Sequence, residues 1–394
     1  MRKRLQSIDA VRGAVMIIMA LDHIREFFHS GALAFSPEDL SKTTAAIFLT
    51  RWITHFCAPV FMFTAGLGAF LWAQRRDSGG HNKAALARFL LLRGLWLVFL
   101  ELTVARFALY FNFNYSMIVL IVLWALGCSM IVLAALVYLP IGALAAISIA
   151  MIALHNLLDG ITAAQFGSAG WIWNVLHQPG VFPFAGHQIL LAYPLVPWAG
   201  VMAAGYCFGR VFLLEPDRRQ RVLVRLGLGV TAAFFVIRAW NVYGDPAPWS
   251  IQRSPVFTVL SFLRCSKYPP SLDFLLMTLG PAVAVMGWLE RVRLSAANPL
   301  LVFGRVPLFY YVIHLYAIHG IAMLMAWMRY GTAAFLLNPP PGMGGQRQAF
   351  PPDYGYPLWV CYAVWLVVVM LVYPLCRWFA ELKQRRRDWW LSYL

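Results

Sequence analysis

Apolar runs long enough to cross a hydrocarbon core of about 30 Å recur some ten times along this chain. They fall near residues 8–28, 46–73, 87–111, 116–138, 141–157, 187–213, 222–243, 271–289, 299–328 and 358–380. Backbone in lipid has no water to bond, so such runs close their hydrogen bonds as helices. The chain therefore reads as an all-α, polytopic integral membrane helix bundle of about ten transmembrane helices. The block 116–157 divides at Leu139-Pro140, and 299–328 has room for a break. Only 12% of the 394 residues are charged and 61% are hydrophobic, whereas soluble domains carry roughly a quarter charged residues.

The net charge of +16 is spread over alternate connections. With Met1-Arg2-Lys3-Arg4 in the cytoplasm, the cytoplasmic loops carry Arg75, Arg76, Lys83 and Arg88, then Arg218, Arg219, Arg221 and Arg225, then Arg291 and Arg293. Lys383, Arg385, Arg386 and Arg387 follow in the tail. This positive-inside pattern places both termini in the cytoplasm of a plasma-membrane protein. A nucleic-acid partner is not expected, because the basic residues do not gather on one folded face. The first apolar run holds Asp22 and His23 and lacks a small-residue cleavage site, unlike a secretory signal. Six cysteines are scattered singly, so neither a disulfide framework nor a metal motif follows. No internal repeat or soluble segment divides the chain, and residues 1–394 read as a single transmembrane domain.

Three segments on the opposite side, 158–186, 244–270 and 329–357, are long and rich in Gly, Pro, Trp and Asn. Such segments either cover a membrane site or anchor the interface through tryptophans, and the sequence leaves both open.

Ionisable residues inside spans are costly and face a bundle interior or a wet cavity. Arg12 and His23 lie eleven residues apart on the first span, hence on one helix face and roughly 16 Å apart along its axis. By depth, Asp22, His23, Arg51, His55, Glu101, Arg106, His187, His314 and His319 fall in one outer-half layer, while Arg12, Arg93 and Arg305 mark the inner half. Glu101 and Arg106 equally suit a buried ion pair that fixes packing, and a lone transmembrane histidine is often a packing residue. His314 and His319 are five apart, the wrong spacing for chelation on a helix, so no metal is expected. Serine-nucleophile elbows and glycine-rich phosphate loops are absent from the sequence.

Three arginines at the inner boundary suit a diphosphate, which guanidinium binds bidentately. The Arg12-to-His23 rise is comparable to a pantetheine arm. A coenzyme A thioester held at Arg12, Arg93 and Arg305 would then reach His23 as general base, with Asp22, His55, His314 and Glu101 as further catalytic candidates.

SIDAVRG, followed by a histidine at Arg-x10-His spacing, resembles integral-membrane acyltransferases that decorate polysaccharides. More closely, SIDAVRGAVMIIMALDHIREFF, RWITHFCAPVFMFTAG, RFLLLRGLWLVFLELTVARF, AYPLVPWAGVMAAGYCFGR, CSKYPPSLDFLLMTLGPA and FGRVPLFYYVIHLYAIH resemble the bacterial family related to heparan-α-glucosaminide N-acetyltransferase. The resemblance implies a helical membrane enzyme taking acyl groups, acetyl in particular, from cytosolic acyl-coenzyme A (acetyl-CoA) to a carbohydrate-like acceptor across the bilayer. Arg12-Gly13 matches the family. Where the animal enzyme has an asparagine this chain has His23, and where it has an aspartate this chain has His55. The family's catalytic histidine, between the first two spans, has no counterpart in register; only His29 lies nearby. The competing reading is a transporter or flippase of an amphiphilic anion, against which the lack of inverted repeats and paired broken helices argues. A homo-oligomer is compatible with the sequence.

Overall fold

A computed structural model describes residues 5–76, 82–386, 388 and 391. The basic run 1–4 and Arg387 lie outside the described residues. The chain is mostly helical (72%). It runs through α1 (Gln6–Phe28), α2 (Ala45–Thr54), α3 (Cys57–Arg76), α4 (Lys83–Leu100), α5 (Arg106–Tyr110), α6 (Val122–Leu136), α7 (Ile141–Ala153) and α8 (Gly170–Leu176). There follow α9 (Leu195–Phe208), α10 (Pro216–Trp240), α11 (Pro255–Leu263), α12 (Leu272–Leu289), α13 (Pro299–Arg305), α14 (Pro307–Tyr330) and α15 (Leu358–Arg385).

Among the described residues six helices are long and apolar enough to cross a membrane, α2 and α3 counting as one continuous stretch. Four of the ten runs fall short of that standard for visible reasons. α1 has 23 residues but carries Asp9, Arg12, Asp22, Arg25 and Glu26, and α4 carries Lys83, Arg88 and Arg93. α6 and α7 are apolar but only 15 and 13 residues long.

The all-α expectation is corrected in one place. The runs at 116–138 and 187–213 open as strands, β1 (Met117–Leu120) and β3 (His187–Leu191), joined by β2 (Gly180–Phe184). The sheet order is β1-β3-β2, with β1 parallel and β2 antiparallel to β3. Ala185 and Gly186 form the two-residue turn between β2 and β3, both left-handed with φ 48° and 81°, the twist that suits a tight hairpin. The run 299–328 does break. Pro307 has no N–H to continue a helix, so α13 ends at Arg305 and α14 starts afresh.

α1 is the hub, packed against α2, α3, α12, α13, α14 and α15. Its tightest neighbour is α13. A β-carbon on Gly13 would lie 1.8 Å from the Leu300 carbonyl oxygen, and one on Gly304 would lie 1.8 Å from that of Asp9. Two glycines facing each other's helix backbone thus set the approach, and each precedes or follows an arginine. Arg12 and Arg305 are brought to one side of the same contact.

Candidate active site

Two cavities lie along α1. The larger, about 630 Å³, opens at its N-terminal end and is lined by Arg12, Arg75, Arg93, Arg305 and Lys383 together with Thr64, Trp72 and Phe89. The smaller, about 370 Å³, lies at the C-terminal end and is lined by Asp22, His23, Glu26, Thr54, Cys57, Tyr193, Lys267 and Tyr268. Of all their lining residues only Phe61 and Val122 belong to both. The wall between the cavities is therefore a side chain or two thick.

Two of the cations of the larger cavity, Arg12 and Arg305, are held by oxygens of the fold. Arg12 donates to the Gly304 carbonyl at 3.3 Å and to Thr64 Oγ1 and its carbonyl at 3.5 Å, and lies 3.8 Å from Asp9. Arg305 donates to the Ala296 carbonyl at 3.1 Å. Anchors of this kind fix where a guanidinium points. The three arginines singled out from the sequence come from α1, α4 and α13 and converge on this one space.

The smaller cavity is walled by ions paired with one another. Arg51, from α2, forms a close ion pair with Asp22 and also donates to Glu38 at 3.3 Å. Arg25 reaches Asp22 at 3.3 Å and Glu26 at 3.5 Å. His55 is buried, bonded through Nε2 to Glu38 at 2.9 Å and packed on Phe274. It lines neither cavity, so it meets Asp22 only through Glu38 and Arg51. Glu38 lies in the loop after α1. Burial alone would raise its carboxyl, but the His55 hydrogen bond and the neighbouring cations outweigh it and hold it at about 2.

His23 faces this cavity with Nδ1 buried and without a hydrogen-bond partner. Its ring centre lies 5.3 Å from that of His314 and 6.4 Å from that of Tyr311. His314, on α14, is fully buried and bonded through Nδ1 to the Tyr310 carbonyl at 2.9 Å. A carbonyl only accepts, so His314 carries its proton on Nδ1 and leaves Nε2 as an acceptor. That Nε2 is also buried and unbonded.

The remaining members of the outer-half layer serve the backbone. Glu101 lines neither cavity: it sits on a π-helical turn, Glu101–Ala105, and accepts from the amides of Leu123 at 2.7 Å and Trp124 at 3.0 Å. It caps α6, whose first N–H groups have no helical partner. Arg106 is not its ion-pair partner but donates to Asn112 and to the Asn114 carbonyl. His319 sits between the Ala108 and Leu336 carbonyls, and His187 bonds the Tyr115 carbonyl. His29 is buried beside Tyr356 and lines neither cavity.

Sequence reasoning passed over Arg25, Glu26, Glu38 and Lys267. Glu26 follows His23 by three residues and so shares its helix face, a signal that was present. Lys267 stands alone in an otherwise uncharged stretch, CSKYPP, and only the fold brings it to α1. All three long segments contribute wall to the smaller cavity: Pro179–Val181, Lys267 and Tyr268, and Gly342 and Met343.

No group of three or more metal-ligating side chains occurs among the described residues. No curated protein matches the chain. The family model described as heparan-alpha-glucosaminide N-acetyltransferase, catalytic, matches residues 4–237. That span holds α1, the wall residues Phe61 and Val122, and most of both cavities. The chain belongs to the heparan-α-glucosaminide N-acetyltransferase catalytic family of membrane acetyltransferases.

Proposed function

We propose that this protein moves an acyl group, acetyl in the first instance, from cytosolic acyl-coenzyme A to a hydroxyl or amine of a carbohydrate-like acceptor on the far side of a bacterial inner membrane. The observation that carries the reading is the pair of cavities along α1, which share Phe61 and Val122 as lining residues. A donor and an acceptor that never share a compartment need two such chambers meeting at a thin wall. The basic chamber faces the cytoplasm in this reading, with ten spans and both chain ends on that side. Arg12, Arg93 and Arg305 take the diphosphate, and the thin arm of the thioester follows α1 toward His23. The whole chain acts as one catalytic domain, since residues from Leu5 to Gln384 line the two chambers.

His23 is the general base. The acceptor's O–H or N–H gives its proton to a ring nitrogen of His23 as the oxygen or nitrogen attacks the thioester carbon. The carbon–sulfur bond then breaks, and the departing thiolate regains the proton. His314 is the positioning residue: its Nε2 can take a hydrogen bond from His23 Nδ1–H, directly or through one water, which leaves the other nitrogen of His23 as the base. Asp22, paired with Arg51 and Arg25, lies beside His23.

The test is single-turnover release of coenzyme A from acetyl-coenzyme A by purified protein with glucosamine as acceptor. His23→Gln keeps volume and hydrogen bonding, so it is expected to slow release by 10²–10⁴-fold at unchanged coenzyme A affinity and thermal midpoint. Full activity in His23→Gln would remove the histidine mechanism. Transport of the acceptor without release of coenzyme A would remove the enzyme reading.

A further inference from the structure

The smaller cavity contains a cation the mechanism above does not use. Lys267 is 6% exposed, and that exposure is to the cavity. Its ammonium lies 5.2 Å from the Tyr268 ring centre. Among the described residues no oxygen accepts a hydrogen bond from it. Its charge is nonetheless felt by Asp22, His23, Glu26 and Glu38. An ammonium has three donors and is strongly hydrated, so one buried without an acceptor marks a place where an acceptor arrives.

Two kinds of arriving anion differ in what they do to the cavity's charge. Around it stand three carboxylates, Asp22, Glu26 and Glu38, and three cations, Arg25, Arg51 and Lys267. An acceptor carrying its own negative group would add a charge to this set, which burial penalises. A tetrahedral intermediate does not. As the carbonyl oxygen gains a negative charge, His23 gains a positive one, and the total is unchanged.

We propose that Lys267 is a catalytic residue that donates to the thioester carbonyl oxygen as it becomes an oxyanion. This rests on the acyl-transfer reading of the site. When the acceptor attacks, the carbonyl π electrons move to oxygen and the ammonium stabilises them in place. When the oxyanion collapses, those electrons reform the double bond, the sulfur leaves with the carbon–sulfur pair, and His23 returns the proton. Lys267 keeps its own proton throughout. The Lys267 backbone is held for this by the loop around it. Asp245 accepts from the Ser266 amide at 2.7 Å and from Ser271 Oγ at 2.6 Å, which pins the chain on either side of Lys267.

The experiment compares Lys267→Met, Lys267→Gln and Lys267→Arg with the wild type in the same coenzyme A release assay, over a range of glucosamine. Loss of one oxyanion donor costs typically 10²–10³-fold in turnover. Met is expected to fall in that range, Gln to lose less, and Arg to recover most of the rate, with coenzyme A affinity and acceptor KM within twofold of wild type. If the Met variant does not fold, the Gln–Arg pair decides in the same way. Normal turnover in both neutral variants overturns the proposal. So does a raised acceptor KM with full turnover at saturation, which would assign the cation to acceptor binding. A wild-type protein that releases no coenzyme A overturns the transfer reading and this one with it, whereas silence of the neutral variants alone does not touch the former.

Discussion

At the N-terminal end of α1, Arg12 is tied mainly to neutral oxygens, those of Gly304 and Thr64, with Asp9 at 3.8 Å; at the C-terminal end, ions are tied closely to other ions, as Asp22 is to Arg51 and Arg25. The first gathers five cations, Arg12, Arg75, Arg93, Arg305 and Lys383, around one cavity and suits a polyanion. The second is balanced and suits a reaction that creates charge and removes it again. In the proposed mechanism one helix thus carries a binding end and a chemical end. A change at one end is expected to leave the other intact unless it breaks the helix packing common to both.

Gly13→Val is the substitution that breaks the common part. Its β-carbon would lie 1.8 Å from the Leu300 carbonyl oxygen, so α13 must move as a body. Overpacking against side chains costs about 1–3 kcal/mol and more where nothing can yield; here the obstacle is backbone. Both coenzyme A binding and acyl transfer are expected to disappear together, with little folded protein recovered. A Gly13→Val protein of normal thermal midpoint would mean that the α1–α13 contact is not what sets the two ends.

Arg238→Met strikes the chemical end alone. Arg238 is 2% exposed and donates to the carbonyls of Phe262 at 2.9 Å, Ser261 at 3.2 Å and Arg264 at 2.7 Å, beside Asp273 at 3.6 Å. It anchors the segment that carries Lys267. Removing one partner of a buried charge cluster costs about 3–5 kcal/mol. The expected outcome is a lower thermal midpoint and loss of transfer, with coenzyme A affinity retained by the folded fraction. Equal loss of both would erase the distinction between the ends.

Much of this division was legible in the sequence, and the illegible part has a common cause. Helical periodicity placed Arg12 and His23 on one stripe, and the depth argument grouped Arg12, Arg93 and Arg305, because both depend only on position along a span. Lateral convergence does not. Glu101, Arg106, His187 and His319 share the right depth but go to carbonyls and amides around the 111–116 turn and the helix ends, where backbone groups freed from helical bonding must be met by side chains. The strands β1 and β3 were hidden because a short apolar run reads alike as helix or strand. Lys267 was hidden because a loop residue's destination is set by tertiary anchors such as Asp245 and Arg238.

Arg12→Gln probes the binding end. A hydrogen bond to a charged group contributes about 1.5–3 kcal/mol, so coenzyme A affinity is expected to fall by roughly 10–150-fold. Turnover at saturating donor should change little. A lowered turnover at unchanged affinity would move Arg12 from the binding end to the chemistry.

The smallest effect is expected from His55→Gln, and its form tests how far the chemical end extends. His55 reaches Asp22 only through Glu38 and Arg51, so transfer should drop by no more than a few fold. Stability should respond more distinctively. Glu38 is held at about 2 against an ordinary 4.5, in part by the His55 hydrogen bond. A carboxyl depressed in the folded state stabilises fully above its unfolded value, and that contribution is lost as pH falls through the folded one. Without His55 the Glu38 carboxyl moves up toward the unfolded value, so the variant gains less from ionising it. The Glu38 share of the gap in thermal midpoint between wild type and His55→Gln should therefore shrink as pH falls from about 4.5 to about 2. Scanning calorimetry at pH 7, 5 and 3 reads this directly. A gap as wide at pH 3 as at pH 5 would assign His55 to packing against Phe274, and a transfer rate lowered a hundredfold would bring it into the chemistry itself.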